Sequence, residues 1–221
     1  MGDITRVVTG GSSAVILIDG VFESGPSVWH KEILLAMRAG VPVIGASSMG
    51  ALRAAELCSY GMLGSGRIFE DFASRRLTDD DEVAVVHGPA ETGWMPLSDA
   101  LVDIRATVAL AAEERIISPA MAHGVIAHAK ATYFKNRSLS DSVESVQPQY
   151  MPDNEKTQIR NWFAAHAVSQ KRNDCVELLR HLPEAISTAA ERVAMAAMAK
   201  STAYLRHFND RAAPRLSGRP S

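Results

Sequence analysis

The sequence predicts an α/β protein, in which an N-terminal small parallel sheet with flanking helices is followed by a mainly helical C-terminal half. Two short apolar runs rich in β-branched residues, at 14–18 and 41–44, are each followed by a helix-forming segment. From residue 97 onward, apolar residues recur at helical spacing instead. Because strand and helix alternate over the first 58 residues, we expect the strands to be parallel.

The first predicted strand spans Ala14 to Ile18 and is followed directly by Asp19 and Gly20. Polar residues just beyond the carboxyl end of a strand are where α/β sheets form their sites. Asp19 is therefore a candidate site residue. A cap on the turn that follows is an equally good interpretation of this aspartate.

The helix after this strand is predicted to begin at Ser27, as an N-cap, and to end at Ala39 before Gly40. It is apolar over most of its circumference, yet it carries Lys31. That lysine either extends its amine to the surface or sits in a partly dry pocket, where it can act as a general base.

Residues 41–57 are the stretch around which the chain is organised: a buried strand, a tight turn and a helix from Met49 onward. Ser47 or Ser48 falls where the helix begins, beside free backbone N–H groups and the positive end of the helix dipole. A serine there can act as a nucleophile, although the spacing differs from the Gly-x-Ser-x-Gly of α/β-hydrolases. The simpler interpretation is that a serine caps the helix.

The segment between this helix and residue 96 contains three further features. The glycine-rich residues 60–66 are predicted to stop the helix and form a turn. An acidic run at 78–82 is predicted to be a solvated turn, since consecutive carboxylates do not converge on a metal. Val83 to Val86 are predicted to form a third strand, and His87 beyond it is a candidate for the site or for a structural role.

We expect one domain over residues 1–211, with an α/β core at 1–96 and a helical part at 97–211, and a disordered tail at 212–221. The predicted elements of the helical part are, in order, helices at 97–112 and 119–134, a polar loop at 138–152, and helices at 154–167, 171–182 and 184–208. The last helix is rich in alanine and methionine, which suits packing against another chain as well as against its own core.

Composition and charge exclude several classes of function. The chain has 221 residues, a net charge of −2 and an isoelectric point near 6.4, so no basic field attracts nucleic acid. It has no apolar run of membrane-spanning length and no signal peptide, and we expect a cytoplasmic protein. Its two cysteines, Cys58 and Cys175, make neither a disulfide framework nor a zinc site, and no motif indicates another metal or a cofactor.

The residues alone leave three candidates for the chemistry. The first is a serine hydrolase with Ser48 as nucleophile and Lys31 as base. The second is a non-catalytic partner protein that docks through its helical half. The third is a triad of Ser48, His87 and Asp19.

Four segments of the chain resemble the core of the TfuA-like family, over roughly residues 13 to 110. The segments are Asp19-Gly20 through Pro26-Ser-Val-Trp-His-Lys-Glu-Ile33, Gly45-Ala-Ser-Ser-Met-Gly-Ala-Leu-Arg-Ala-Ala-Glu56, Tyr60-Gly-Met62 with Gly66 and Ile68-Phe69, and Asp79-Asp-Asp-Glu-Val-Ala-Val-Val-His-Gly-Pro-Ala90. The segment from Lys171 to Asp174 is also similar to the family. Because these strings are long and ordered, the resemblance is specific.

The resemblance implies a role in peptide backbone thioamidation during RiPP biosynthesis, in which YcaO enzymes replace an amide oxygen by sulfur. It implies that the protein hydrolyses the C-terminal thiocarboxylate of a ubiquitin-like sulfur carrier of the ThiS type. The resemblance further implies that the released sulfide goes to YcaO and that the protein also helps YcaO to engage its precursor peptide. The Ser-Lys pair of the family maps by motif position to Ser48 and Lys31.

Residues around this pair complete the predicted site. The N–H groups of Met49 and Gly50 are the expected oxyanion hole. Arg53 either binds the tail of the carrier or forms a salt bridge with Glu56, three residues further along the helix. The alternative function is a docking or activating partner of YcaO with a degenerate site, and a homo-oligomer is a further candidate assembly. All the candidate site-lining residues are Asp19, His30, Ser47, Arg53 and His87.

Overall fold

The computed structural model describes residues 2–19, 27–146 and 153–212 of the chain. Over these ranges, three short strands form one parallel sheet, and the chain also contains ten α-helices. The strands are β1 (Val15–Leu17), β2 (Val43–Ala46) and β3 (Leu63–Ser65). The helices are α1 (Asp3–Thr9), α2 (His30–Arg38), α3 (Met49–Leu57), α4 (Arg67–Ala73), α5 (Leu101–Glu113), α6 (Pro119–Ala131), α7 (Leu139–Glu144), α8 (Asp153–Ala165), α9 (Gln170–Arg180) and α10 (Leu182–Ala212).

Helices cover both faces of the sheet, as is typical of a parallel sheet. The strands lie in the order β1-β2-β3, with Val15 opposite Val43 and Ile44 opposite Leu63. Successive residues of β2 point to opposite sides: Val43 packs with α1, α2 and α3, whereas Ile44 packs with α9 and α10. This arrangement confirms the predicted fold class, a small parallel sheet with flanking helices and a mainly helical second half.

The third strand is not where the sequence analysis placed it, and that prediction was wrong. β3 lies within the glycine-rich residues 60–66, predicted as a turn, and it pairs with β2. Val83 to Val86 have no strand pairing. Val83 is buried among side chains of α3, α4 and α5. The apolar run therefore reflects burial among helices, which a short sequence pattern does not distinguish from burial in a sheet.

The helix that carries Lys31 is shorter than predicted. α2 begins at His30, and its N-cap position is taken by Trp29, which makes no capping bond through its side chain. Ser27, the predicted cap, instead accepts a hydrogen bond from the Arg53 guanidinium at 3.2 Å. The helix ends at Arg38, one residue before the predicted end at Ala39, and Gly40 follows in the left-handed region at a φ of 84°.

The helical half has a hydrophobic core of its own. The predicted polar loop at 138–152 contains a helix, α7, whose N-cap Ser138 accepts a hydrogen bond from the N–H of Asp141 at 3.3 Å. Burial of Val143 in this core holds α7 in place. The buried members of the core are Leu101, Ile104, Val108, Ala111, Ile117, Met121, Val125, Ala129, Val143, Val146, Ile159 and Phe163.

The last two helices return to the sheet. Leu178 of α9 and Ala189 of α10 are buried beside Ile44. α10 therefore covers the chain's own core over this stretch, which is one of the two roles predicted for it. The same helix leaves Met195 69% exposed. Of the predicted tail, Ala212 ends α10 and residues 213–221 lie outside the described residues.

Candidate active site

The site begins at the β2–α3 junction, where two glycines allow three backbone segments to touch. A Cβ atom on Gly45 would overlap the carbonyl of Gly50, and one on Gly50 would overlap the carbonyl of Leu17. The start of α3 thus lies directly against the end of β1. The Ile18 carbonyl fixes this contact by accepting hydrogen bonds from the N–H groups of Ser48 at 3.1 Å and Gly50 at 3.2 Å.

The two serines of this junction are both buried and have different backbone conformations. Ser47 has a positive φ of 71°, a strained state that costs roughly 1–3 kcal/mol in a residue other than glycine. Such a strained strand-to-helix turn is the local geometry of a nucleophile elbow. Ser48 occupies the N-cap position of α3 but forms no capping bond through its side chain. Its hydroxyl instead donates to the Val83 carbonyl at 3.4 Å, so helix capping does not account for it.

A small cavity lies at the carboxyl edge of the sheet, and Ser48 lines it while Ser47 does not. All three residues of the candidate triad line the cavity. Asp19 and His87 come from parts of the chain that are distant in sequence from Ser48. His87 forms no hydrogen bond with Ser48 within the described part of the chain. The full set of lining residues is Asp19, Ser48, Met49, Val83, Ala84, Val85, His87 and Lys171.

Lys171 is the residue of this cavity whose role the sequence analysis missed. Its ammonium donates to the Val83 carbonyl at 3.3 Å and pairs with the Asp19 carboxylate at 3.5 Å. The Val83 carbonyl therefore accepts from both the Ser48 hydroxyl and Lys171. The side chain of Lys171 is only 14% exposed. The available signal was the family-like segment from Lys171 to Asp174, but nothing in the sequence places it beside Ser48.

Two carboxylates, the half-buried Asp103 and the buried Asp174, position Lys171 by holding α9. Asp103 accepts hydrogen bonds from the backbone N–H of Lys171 at 3.1 Å and from the Ser169 hydroxyl at 3.2 Å. Asp174 accepts from the first two N–H groups of α4, at 3.1 and 2.8 Å, and so ties α9 to that helix. Burial raises the pKa of both carboxyl groups, although hydrogen bonds to each partly oppose the change.

Lys31 does not line the cavity. It is exposed in the first turn of α2, as the surface interpretation of this residue expects, and not in a dry pocket. No contact in the described part of the chain brings it to Ser48. Its catalytic role remains a prediction.

Arg53 and His30 form a separate cluster with Glu56. Arg53 donates to the Glu56 carboxylate at 2.7 Å and to the Val28 carbonyl at 3.0 Å. His30 lies 2.7 Å from the same carboxylate. The salt bridge to Glu56 is thus the alternative that the structure adopts for Arg53. Neither Arg53 nor His30 lines the cavity at Ser48.

The two N–H groups of the predicted oxyanion hole differ in their hydrogen bonding, and their catalytic role remains a prediction. The Gly50 N–H already donates to the Ile18 carbonyl, so it is engaged within the protein. The N–H of Met49 has no acceptor among the described residues. Met49 also directly follows Ser48 and lines the cavity, which is the position of an oxyanion-hole donor in a nucleophile elbow.

The acidic run at 78–82 is not a solvated turn throughout, and this prediction needs correction. Glu82 is buried and accepts two hydrogen bonds of 3.0 Å from Arg105. Burial opposes the charge of Asp81, yet hydrogen bonds from Arg137 and Lys130 outweigh it and lower the pKa of this carboxyl. These ion pairs hold the chain immediately before Val83. No group of three metal-ligating side chains occurs among the described residues.

Together these features define an α/β protein with a buried serine on a strained turn, beside a lysine and a free backbone donor. The model of the family described as TfuA-like protein matches residues 19–138, which is more than half of the chain. The chain belongs to the TfuA-like family, as the resemblance predicted, and this family is associated with YcaO-dependent thioamidation. No curated protein matches the sequence. Among the described helices, none is both long and apolar enough to span a membrane.

Proposed function

We propose that this protein hydrolyses the C-terminal thiocarboxylate of a ThiS-type sulfur carrier and so releases sulfide for YcaO. Family membership supports the connection to YcaO. The observation that carries the proposal is the Ser48 hydroxyl, which is not used as a helix cap and lines a cavity beside the Met49 N–H. A structural serine at a helix start would be expected to cap it.

In the proposed reaction, the Ser48 oxygen attacks the thiocarboxylate carbon and loses its proton to a basic amine. The Met49 N–H stabilises the oxyanion of the tetrahedral intermediate, an effect worth about 3 kcal/mol for one donor. The C–S bond then breaks, and water hydrolyses the acyl-serine to release the carboxylate of the carrier. Hydrosulfide leaves much more readily than an amine, so a serine and one base suffice.

The resemblance assigns the base of the proposed reaction to Lys31. Lys31 is exposed and lies outside the cavity. His87 and Lys171 are the cavity residues that offer a basic nitrogen in its place. A Lys31→Ala variant therefore tests the assignment without disturbing the walls of the cavity.

The partners follow from the same chemistry. The cavity is small and lies at the sheet edge, so a narrow C-terminal tail is the kind of substrate that reaches Ser48. A tail of this kind is what a ubiquitin-like carrier presents. YcaO then receives the sulfide beside its precursor peptide, and docking of this protein to YcaO shortens the distance over which the sulfide must diffuse.

The experiment is a measurement of sulfide release from a thiocarboxylated ThiS-type carrier in the absence of YcaO. We expect the wild-type protein to release sulfide well above the rate without protein. If it releases none, while YcaO still needs it for thioamidation, the protein is a docking or activating partner and the hydrolase proposal fails. Deleting the whole protein does not separate these two functions, because both predict loss of thioamidation.

A further inference from the structure

We propose that Lys171 is the cation that binds the thiocarboxylate anion of the substrate and protonates the departing sulfur. The inference rests on the proposed function for the identity of the substrate. Its structural basis is the place of Lys171 in the cavity, where the ammonium lies 3.5 Å from Asp19 and 3.3 Å from the carbonyl that also binds Ser48.

The charge of the substrate creates the need for such a cation. A thiocarboxylate is an anion at neutral pH, and attack by an alkoxide adds a second negative charge to it. The cavity already contains the carboxylate of Asp19, which repels that charge. Because Lys171 is only 14% exposed, its attraction for an anion is weakly screened by water.

The position of Lys171 is fixed well enough for this task. Asp103 holds its backbone N–H, and Asp174 ties the next turn of α9 to α4. The shared Val83 carbonyl brings the ammonium and the Ser48 hydroxyl to one point of the cavity wall. When Ser48 attacks the thiocarboxylate carbon, the sulfur bound to that carbon is therefore within reach of the Lys171 ammonium.

The proposed step balances as follows. The Ser48 oxygen forms a bond to the thiocarboxylate carbon, and the serine proton goes to the base of the proposed reaction. The C–S bond breaks with its electron pair on sulfur, and a proton from Lys171 makes the leaving group hydrosulfide. In the hydrolysis of the acyl-serine, one proton of the water restores the ammonium and the other goes to solvent. The base returns its proton to the Ser48 oxygen. No atom changes its oxidation state, and no co-reactant other than water is needed.

The first test compares two substrates of different charge. We expect Lys171→Met to slow sulfide release from the thiocarboxylated carrier by about 10- to 100-fold, the range of a charge-assisted hydrogen bond. The phenyl thioester of the same carrier is neutral and its thiolate needs no proton, so its hydrolysis should change less than about threefold. Equal losses on both substrates, or no loss on the thiocarboxylate, would overturn the inference.

Two further variants control this comparison. Lys171→Arg keeps the positive charge and should recover part of the activity toward the thiocarboxylate. Arg172→Met removes a neighbouring exposed charge outside the cavity and should leave both rates unchanged. A Lys171→Arg variant no better than Lys171→Met, although equally well folded by circular dichroism, would contradict the role of charge.

A binding measurement tests the inference without turnover. In the Ser48→Ala background, the thiocarboxylated carrier should bind about 10- to 100-fold more tightly than a carrier that ends in a neutral amide. Lys171→Met should abolish this preference. If the wild-type protein releases no sulfide but the preference persists, only the hydrolase proposal fails. If the Ser48→Ala protein shows no preference for the anion, the inference on Lys171 fails.

Discussion

The two ends of α3 carry polar clusters of opposite character. From the middle of α3, Arg53 makes three hydrogen bonds, and it shares Glu56, near the C-terminal end, with His30, so its donors are engaged within the fold. At its N-terminal end, the Ser48 hydroxyl makes one long contact of 3.4 Å, and the Met49 N–H has no acceptor among the described residues. Buried polar groups in a purely structural role are normally satisfied. The first cluster holds the chain together, and the contrast supports the proposal that the second takes part in chemistry.

The largest effect is expected when the cavity loses its nucleophile. Ser48→Ala should reduce sulfide release by about 10³-fold or more, because the acyl intermediate is no longer formed. Intact-mass analysis of quenched reactions should show a carrier adduct on the wild-type protein and none on the variant. Release by Ser48→Ala at the wild-type rate would remove Ser48 from the mechanism.

A steric change at the same end of α3 should act on stability. Gly50→Ala places a Cβ where the Leu17 carbonyl lies, so the start of α3 and the end of β1 must separate. We expect a loss of about 3 kcal/mol or more in the free energy of unfolding. Gly11→Ala is a control for the alanine itself, since nothing lies near its Cβ position, although its φ of 86° adds some strain. Urea titration measures both, and equal losses would show that the β1–α3 contact is not tight.

Substitution of the exposed Lys31 tests whether the sequence motif alone identifies the general base correctly. If Lys31 is the general base, Lys31→Ala should slow sulfide release by roughly 10²-fold or more. The thermal stability should hardly change, because the side chain is exposed. Full activity of this variant would exclude Lys31 and direct the search to the nitrogen atoms inside the cavity.

The cluster at the other end of α3 should respond in the opposite way. Arg53→Met removes a nearly buried guanidinium and leaves the Val28 carbonyl without its donor. We expect a loss of about 1–3 kcal/mol in the free energy of unfolding, measured with urea. Sulfide release by the folded variant should stay within about threefold of wild type. A loss of activity as large as that of Ser48→Ala would mean that the two clusters act together.

The smallest effect is a dependence on pH at Asp103. Burial raises the pKa of this carboxyl above its ordinary value of 3.8, so the folded state binds its proton more tightly than the unfolded chain. Its contribution to stability therefore grows as the pH falls through the raised pKa and is lost as the pH rises above it. The free energy of unfolding of Asp103→Asn, measured relative to that of wild type, should therefore be higher at about pH 7 than at about pH 4. A difference that stays constant over this range would contradict the shift.

The local motif at 41–57 could be predicted from sequence because its strand, turn and helix are adjacent in the chain. Short apolar runs were less informative: Val83 is buried among helices, whereas β3 contains Gly64 and has little strand character. The site is more difficult to predict from the sequence than the fold, because Asp19, Ser48, Val83 and Lys171 come together only after the chain folds. Sequence could nominate Asp19, Ser48 and His87 one by one. It could not distinguish Lys171 from Lys31 as the lysine of the cavity.

The most direct test of the account measures sulfide release without YcaO for wild type, Ser48→Ala and Arg53→Met side by side. All three proteins are first shown to be folded by circular dichroism. The account predicts that wild type and Arg53→Met release sulfide from the thiocarboxylated carrier and that Ser48→Ala does not. A silent wild-type protein, or a Ser48→Ala protein as active as wild type, would contradict it.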